Sequence, residues 1–457
     1  PFVERGHMKS RSLPWISRYM QASEKTIKTC TTDGYTDNYR ERRQYAQTGY
    51  YAALGNYWTF GDQALQARKL FQVAQEAQPN GIFPAYGPLI EEDYMVILDS
   101  NFLWIRSLHN YLLYSGDYES ARALLPTALN LLSLVETFTN DDGLIDSPPY
   151  AYWLDHARND RRGANLALNG HYIGALEDTA RLLDWLGVAG ADKYQSAADR
   201  ARNSIQASFF NAEKGLFADA LINGEQSDQF SEHAQAMALA LRIATGEQAE
   251  SVTRQLLADD EPDFIRRANG MFMVTPAMSY FLHKGLAEYG HVDESMALFK
   301  RRFDHMLETG PNGTFWEEWW LRGSGRSGQM GLLDRTRSDA QTESAFAPAL
   351  FAEYLLGVQA THPGMKELLI RRSDSEIRDI EASFPTPQGP VGIRWVLDGD
   401  KGTLDLNIPE GINTSIDTSS LVSRGRPKIS VNGEEVETPG KYMVVREGIH
   451  HITFESR

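Results

Sequence analysis

Two segments, far apart in the chain, carry residue types that could act on a sugar. Residues 33–45 place Asp37, Arg40 and Glu41 just before a predicted helix, and residues 310–320 place Glu317 among three tryptophans. Hydrolysis of a glycosidic bond needs two carboxylates on opposite walls of a cleft, because one protonates the leaving oxygen while the other attacks or activates water. These segments therefore predict a carbohydrate-active site.

Two further loops add acidic and aromatic side chains to the same predicted cleft. The loop at 80–99 ends with Asp99, and the loop at 142–156 contains Trp153 and Asp155. Aromatic side chains combine a large apolar face with a polar tip, which suits the apolar faces of sugar rings. We interpret all four segments as loops that surround one hollow.

The composition narrows the class of ligand. The 457 residues carry a net charge of -16, which disfavours nucleic acid and an anionic membrane surface as partners. No apolar run approaches the roughly 20 residues of a membrane helix. Cys30 is the only cysteine, and the sequence has no phosphate-binding loop, nucleophile elbow or His-Glu-x-x-His helix. We therefore expect no metal and no cofactor, and a neutral sugar fits an acidic chain of this kind.

Helical segments that repeat in pairs must position these loops. Five helical runs break at a glycine accompanied by an acidic residue, as at Gly116-Asp117, and a second run follows each break. The spacing predicts twelve helices, at 14–29, 44–60, 62–78, 97–115, 118–136, 165–186, 191–209, 230–244, 247–257, 275–289, 292–308 and 341–357. The first and last can pair with each other, so we predict a mainly α fold, an (α/α)6 barrel or six-hairpin toroid, at residues 1–370.

After about residue 370 the pattern changes to alternation with a period of two. Five such runs end in turn residues, and Asn432-Gly433 is typical of a hairpin turn. We predict a small antiparallel β-sandwich or jelly roll at residues 371–457, which packs against the helical domain.

In its motifs and their order, the chain resembles the α-L-rhamnosidases of glycoside hydrolase family 78 over nearly its whole length. The family's acid motif, Asp-Cys-Pro-x-Arg-(Asp)-Glu-Arg/Lys, is matched by TDNYRERRQY at 36–45, which implies that Glu41 is the general acid. The family's Thr-x-Trp-Glu-x-Trp motif is matched by residues 314–319, which implies that Glu317 is the general base. The family normally carries β-sandwich domains before the barrel, so N-terminal β domains of the same polypeptide, absent from this chain, are expected partners.

The resemblance also implies which residues hold the sugar. Hydroxyl-binding roles fall on Asp37, Arg40, Asp99 and Asp155. Contacts to the ring and its methyl group fall on Tyr45, Trp153 and Trp316.

The chain departs from the family pattern at three places. Cys-Pro becomes Asn38-Tyr39, the Gly-Asp after the acid motif falls at Gln47-Thr48, and a family histidine appears as Asp339. Thr48 thus removes one supporting carboxylate. These changes affect the pocket wall, and hence the choice of sugar, more than the type of reaction.

The expected activity is that of an inverting exo-glycosidase that releases terminal α-L-rhamnose from glycosides or polysaccharides. One alternative keeps the toroid but makes it a hydrolase of uronic-acid sugars or a polysaccharide lyase, because Arg40, Arg42 and Arg43 suit an anionic substrate. A second alternative is a carbohydrate-binding relative whose altered motif no longer supports catalysis.

Overall fold

The computed structural model describes most of the chain, namely residues 2–36, 42–89, 94–155, 158–258, 267, 269–310, 312–319, 338–436 and 440–456. Asp37, Arg40 and Glu41 lie outside the described residues. Their assigned roles therefore stay predictions.

Twelve α-helices occur in the described part of the chain, and each overlaps a helix predicted from the sequence. They are α1 (Trp15–Cys30), α2 (Ala46–Thr59), α3 (Ala64–Ala74), α4 (Leu98–Ser115), α5 (Tyr118–Glu136), α6 (Leu166–Leu186), α7 (Ala191–Ser208), α8 (Glu232–Ala240), α9 (Gly246–Leu257), α10 (Ser279–Glu288), α11 (Val292–Thr309) and α12 (Ala347–Leu350).

The break at Gly116 shows why a glycine and an acidic residue recur between paired helices. Gly116 ends α4 in the left-handed conformation, with φ of 71°, which costs glycine no steric clash. Asp117 then accepts a hydrogen bond from the backbone N–H of Ser120 and caps α5. The break at Gly246 differs from the prediction, because this glycine is the first residue of α9 and α8 already ends at Ala240.

The even-numbered helices form an inner ring. Each contacts the next along the chain, and α12 contacts α2, which closes the ring. All fourteen residues of α2 are buried, whereas outer helix α7 buries one narrow face. Helix α1 packs against α12 and α2. The predicted (α/α)6 barrel is therefore confirmed.

The last inner helix is more irregular than the sequence pattern indicated. The predicted helix at 341–357 is divided into a 3-10 turn (Thr342–Ser344), α12, and a π-helical turn (Phe351–Leu356). Pro348 lies in the first turn of α12, where its missing N–H costs no hydrogen bond. The predicted start at 341 was wrong by six residues, because residues 341–346 form the 3-10 turn and its flanks.

The described strands fall into a C-terminal sandwich and small additions to the barrel. They are β1 (His7–Lys9), β2 (Ala164–Asn165), β3 (Phe210–Asn211), β4 (Leu216–Phe217), β5 (Ala220–Ile222), β6 (Glu225–Gln226), β7 (Val358–His362), β8 (Glu367–Ile370), β9 (Asp379–Phe384), β10 (Val391–Asp398), β11 (Lys401–Ile408), β12 (Asn413–Asp417), β13 (Pro427–Val431), β14 (Glu434–Glu435), β15 (Tyr442–Val445) and β16 (Gly448–Ser456).

Two sheets make up the C-terminal β domain, as predicted. A seven-stranded sheet has the order β1-β9-β10-β11-β16-β13-β14, and a four-stranded sheet has the order β15-β12-β8-β7. Burial alternates along β10, so that Ile393 and Trp395 face the interior. The indole N–H of Trp395 donates to the carbonyl of Leu356 (3.0 Å) and thereby ties the sheet to the end of the barrel.

The sheets extend beyond the residues assigned to this domain from the sequence. Strands β7 and β8 precede residue 371, and β1 adds residues 7–9 to the larger sheet. The domain limits of 1–370 and 371–457 stay predictions. Among the described helices, none is both long enough and apolar enough to cross a membrane.

A buried ion cluster joins three parts of the barrel. Glu232, in the first turn of α8, accepts hydrogen bonds from Arg267 (2.7 Å), from Arg302 of α11 (2.6 and 3.0 Å) and from the backbone N–H of Val274 (3.0 Å). Burial by itself raises the pKa of Glu232, but Arg302 and Arg267 outweigh it and lower the pKa to about 2. The cluster fixes the segment that leads into α10.

Replacing Glu232 with glutamine is expected to lower the free energy of unfolding by about 3–5 kcal/mol at pH 7, because two buried arginines lose their counter-charge. The folded-state pKa lies below the ordinary value of 4.5. The wild-type advantage is therefore present above about pH 4.5 and is lost as the pH falls toward 2. Melting temperatures of both proteins, measured by circular dichroism from pH 7 to pH 3, test this.

A matched control is Glu225→Gln in β6, where the side chain is exposed. It is expected to melt with the wild type at every pH. Equal melting temperatures for Glu232→Gln and the wild type at pH 7 would show that the cluster does not stabilise the fold.

Candidate active site

The loops that precede the inner helices form a mouth at one end of the barrel. Six hydrogen bonds connect these loops in a closed circuit: Thr48 to Glu343, Ser344 to Trp316, Trp319 to Val274, Thr275 to Asp155, Trp153 to Asp99, and Ser100 to Gln47. Four described residues that the sequence assigned to one site take part in this circuit, namely Asp99, Trp153, Asp155 and Trp316. Glu317 directly follows Trp316, and Tyr45 precedes Gln47 by two residues.

Glu317 is held at this mouth by two hydrogen bonds to the backbone of Ser338. Its N–H donates to the carbonyl of Ser338 (3.0 Å), and the N–H of Ser338 donates to its carboxylate (3.1 Å). Phe315 is fixed in turn by Thr26 of α1 and by the N–H of Gln341 (both 2.9 Å). The Glu317 side chain is only 6% exposed. Its position is therefore determined by the fold.

Trp316 and Trp319, the two described tryptophans beside Glu317, are packed rather than solvent-exposed. The indole of Trp316 meets the His305 ring edge to face at 5.4 Å, and a Cβ on Gly310 would lie 2.8 Å from it. The indole N–H of Trp319 donates to the carbonyl of Val274 (2.7 Å). These contacts give the Glu317 loop an apolar support.

Asp99 holds the loop that carries Trp153 and Asp155. It lies in the first turn of α4, is completely buried, and accepts hydrogen bonds from the backbone N–H groups of Trp153 (2.7 Å) and Leu154 (2.8 Å). Burial raises its pKa, although these hydrogen bonds oppose the shift. Both carboxylate oxygens thus bind protein backbone, and the predicted hydroxyl-binding role stays a prediction.

The loop held by Asp99 presents one buried acid and one exposed ring. Asp155 has a positive φ of 55°, is 4% exposed, and accepts a hydrogen bond from the hydroxyl of Thr275. Trp153 is 39% exposed, so part of its side chain faces solvent. Arg161 donates hydrogen bonds to the carbonyl oxygens of Trp153 (2.5 Å) and Asp155 (3.5 Å) and thereby stabilises the loop.

Tyr45 stands at the N-terminal end of α2. Its ring meets that of Tyr86 edge to face at 5.7 Å, and the guanidinium of Arg43 lies 4.8 Å from the centre of the Tyr86 ring. Gln44 donates to the carbonyl of Gly87 (2.7 Å) and fixes the start of the helix. Tyr45 is half-buried at the rim, next to the segment that contains the predicted acid.

Glu343 is a mouth residue that the sequence analysis did not identify. Its carboxylate accepts a hydrogen bond from the hydroxyl of Thr48 (2.7 Å), 295 positions earlier in the chain. Thr48 is the position at which the family pattern loses a carboxylate, so Glu343 brings one to the same place. Burial, Tyr50, Glu343 and Asp155, in that order, raise the pKa of Tyr51 beneath the mouth.

Asp339 stands where the family pattern has a histidine. Its carboxylate accepts a hydrogen bond from the side-chain amide of Asn312 (2.8 Å).

The helical histidines lie inside the barrel wall. His171, His233 and His283 are fully buried, and burial lowers the pKa of each, to about 3 for the last two. They are therefore neutral at pH 7. Within the described ranges no three His, Cys, Asp or Glu side chains are grouped so that they could hold a metal ion.

Comparison with solved structures places this architecture among the rhamnosidases. A family 78 rhamnosidase of Bacillus sp. GL1 superposes with a TM-score of 0.80 at 23% identity, over 92% of this chain and 43% of that protein. The α-L-rhamnosidase of Dictyoglomus thermophilum gives 0.79 at 15% identity, over 100% and 51%. The Streptomyces avermitilis α-L-rhamnosidase, solved with L-rhamnose, gives 0.74 at 17% identity, over 99% and 42%.

The chain thus spans about half the length of these proteins. No curated protein sequence gives a significant match. Family sequence models do match: the bacterial α-L-rhamnosidase six-hairpin glycosidase domain covers residues 8–330, and the bacterial α-L-rhamnosidase C-terminal domain covers residues 357–421. The resemblance read from the sequence is confirmed, and the chain belongs to the bacterial α-L-rhamnosidase six-hairpin glycosidase family.

Proposed function

We propose that this chain is the catalytic part of an inverting exo-glycosidase that releases terminal α-L-rhamnose. The observation that carries the proposal is the placement of Glu317, a buried carboxylate held by backbone pairing in a mouth lined with acids and aromatic rings. Family membership supports a glycoside hydrolase. The related Streptomyces protein was solved with L-rhamnose, which favours that sugar.

In the proposed mechanism Glu317 removes a proton from a water molecule that attacks the anomeric carbon. Glu41, outside the described residues, protonates the leaving oxygen from the other side. An inverting reaction needs room for this water, so the two carboxyl groups are expected to lie roughly 6.5–9.5 Å apart. A general acid needs a raised pKa, which a neighbouring carboxylate favours and a neighbouring cation opposes, and the sequence places Asp37 and Arg40 close to Glu41.

The proposed sugar contacts follow from exposure and chemistry. The partly exposed indole of Trp153 stacks on the sugar ring, while Trp316 supplies an apolar wall beside the general base. Asp37, Arg40 and Asp155 bind hydroxyl groups, and Tyr45 closes the rim. Asp99 acts through the loop that it holds and so positions Trp153 and Asp155.

Replacing Glu317 with glutamine is expected to lower kcat on nitrophenyl α-L-rhamnoside by about 100- to 10,000-fold, because the amide cannot accept the proton from water. KM should change little, since the shape of the side chain is kept. Initial rates of nitrophenol release from this substrate and from other aryl sugars measure both the activity and the choice of sugar.

The matched control is Glu308→Gln at the exposed end of α11, which should turn over at the wild-type rate. If Glu317→Gln retains near-normal turnover and Glu318→Gln loses it, the general base is Glu318 instead of Glu317. A wild-type protein that binds rhamnose but releases no product over a long incubation would favour the non-catalytic alternative.

Replacing Asp99 with asparagine is expected to destabilise the fold by about 1–3 kcal/mol, because the amide nitrogen cannot accept from a backbone N–H. The loss of the loop position should also lower kcat/KM. Melting temperature and kinetics, measured on the same preparation, test both effects, with Asp141→Asn on the exposed loop as the control. A variant with weaker sugar affinity but an unchanged melting temperature would instead assign Asp99 a direct contact to the sugar.

A further inference from the structure

A second depression, of about 750 Å³, lies beside the mouth. This volume falls within the roughly 300–1,000 Å³ that small-molecule sites occupy. Its walls come from the loop after Asp155, the β3–β4 hairpin and the segments that precede α8 and α10. None of these residues is assigned a contact to the terminal sugar or a proton transfer in the proposed hydrolysis.

The charge of this depression is opposite to that of the mouth. Among the described residues that line it, three are cationic, namely Arg158, Arg161 and Lys214, and one is a carboxylate, that of Asp228. Within the described part of the chain, neither Arg158 nor Lys214 forms an ion pair. In a protein with a net charge of -16, a depression in which cations outnumber carboxylates by three to one indicates an anionic ligand.

The geometry of Arg158 suits recognition of an oxyanion. Its guanidinium lies 5.7 Å from the centre of the Phe272 ring, a cation–π contact that favours one orientation of the planar group. A guanidinium so placed presents paired N–H donors that match a carboxylate or sulfate. The partly exposed Phe272 ring supplies an apolar face beside these donors.

The depression and the mouth share structural elements. Arg161 lines the depression and also donates to the carbonyl oxygens of Trp153 and Asp155. Phe272 pairs with Ser231 at the start of α8, and Val274, two residues further on, holds the indole of Trp319. These shared elements place the depression next to the loop that carries Trp153 and Asp155.

We propose that this depression binds an anionic sugar, either a uronate or a sulfated residue, to which the terminal rhamnose is attached. The acidic mouth receives the neutral sugar, and the basic depression receives the charged residue on the leaving-group side. This inference rests on the proposed function and names the class of substrate for the same site.

The test compares two rhamnosides of the same disaccharide skeleton, one with a free uronate and one with its methyl ester, and adds a sulfated analogue. The wild type is expected to show a higher kcat/KM for the uronate or the sulfate than for the ester, and the preference should weaken with added salt. In the double variant Arg158→Gln/Lys214→Gln the acidic-to-neutral ratio of kcat/KM should fall roughly three- to tenfold, as for the loss of two surface ion pairs. Of the uronate and the sulfate, the one whose kcat/KM falls more in the double variant is the group that the depression binds.

The control is Lys25→Gln/Lys366→Gln, which removes two exposed charges elsewhere and should leave the ratio unchanged. An unchanged ratio in Arg158→Gln/Lys214→Gln, or a wild type that prefers the ester, overturns the inference. If the wild type hydrolyses no rhamnoside at all, the proposed function fails. Calorimetric titration of the uronate disaccharide into the wild type and the double variant then decides the inference separately, since weaker binding by the variant supports it and equal binding overturns it.

Discussion

Buried carboxylates at the starts of the inner helices hold the mouth of this barrel together. A carboxylate without water must be paired or strongly hydrogen-bonded, because desolvating a charge costs several kcal/mol. Asp99 meets this requirement with two backbone N–H groups of the next loop, and Glu232 meets it with two arginines and the N–H of Val274. Asp219, whose pKa burial raises to about 6, accepts from Ser231 and Asp160 in the same manner. The positive ends of the helices favour acids at Asp99 and Glu232.

This constraint explains how irregular loops can form a site of fixed geometry. Three of these ties start in the first turn of an inner helix, at Thr48 of α2, Asp99 of α4 and Glu232 of α8. The rim is therefore fixed by the ring of inner helices. The loop that carries Glu317 is stabilised indirectly, since Val274, which accepts the hydrogen bond of Trp319, is itself held by Glu232. A general base acts efficiently when its position is set before the substrate arrives, because little reorganisation is needed in the transition state.

The sequence was most informative where interactions are local. Helical periodicity and the glycine breaks predicted all twelve helices, because helix ends are determined by the conformation of one or two residues, as at Gly116. Contacts between distant segments were not accessible in this way. The hydrogen bonds that Asp99 accepts from the backbone N–H groups of residues 153 and 154 were not predicted, because nothing near Asp99 in the sequence indicates them. Glu343 was missed because its partner, Thr48, lies 295 positions away. The N-terminal strand β1 was missed because three residues carry too little pattern.

In the proposed mechanism, one carboxylate of the barrel mouth activates water on the face opposite the leaving group. The stereochemistry of the first product reports this arrangement directly. Proton NMR during hydrolysis of nitrophenyl α-L-rhamnoside, recorded before mutarotation, is expected to show β-L-rhamnose as the initial anomer. Initial appearance of α-L-rhamnose would contradict the assignment of Glu317 as a general base.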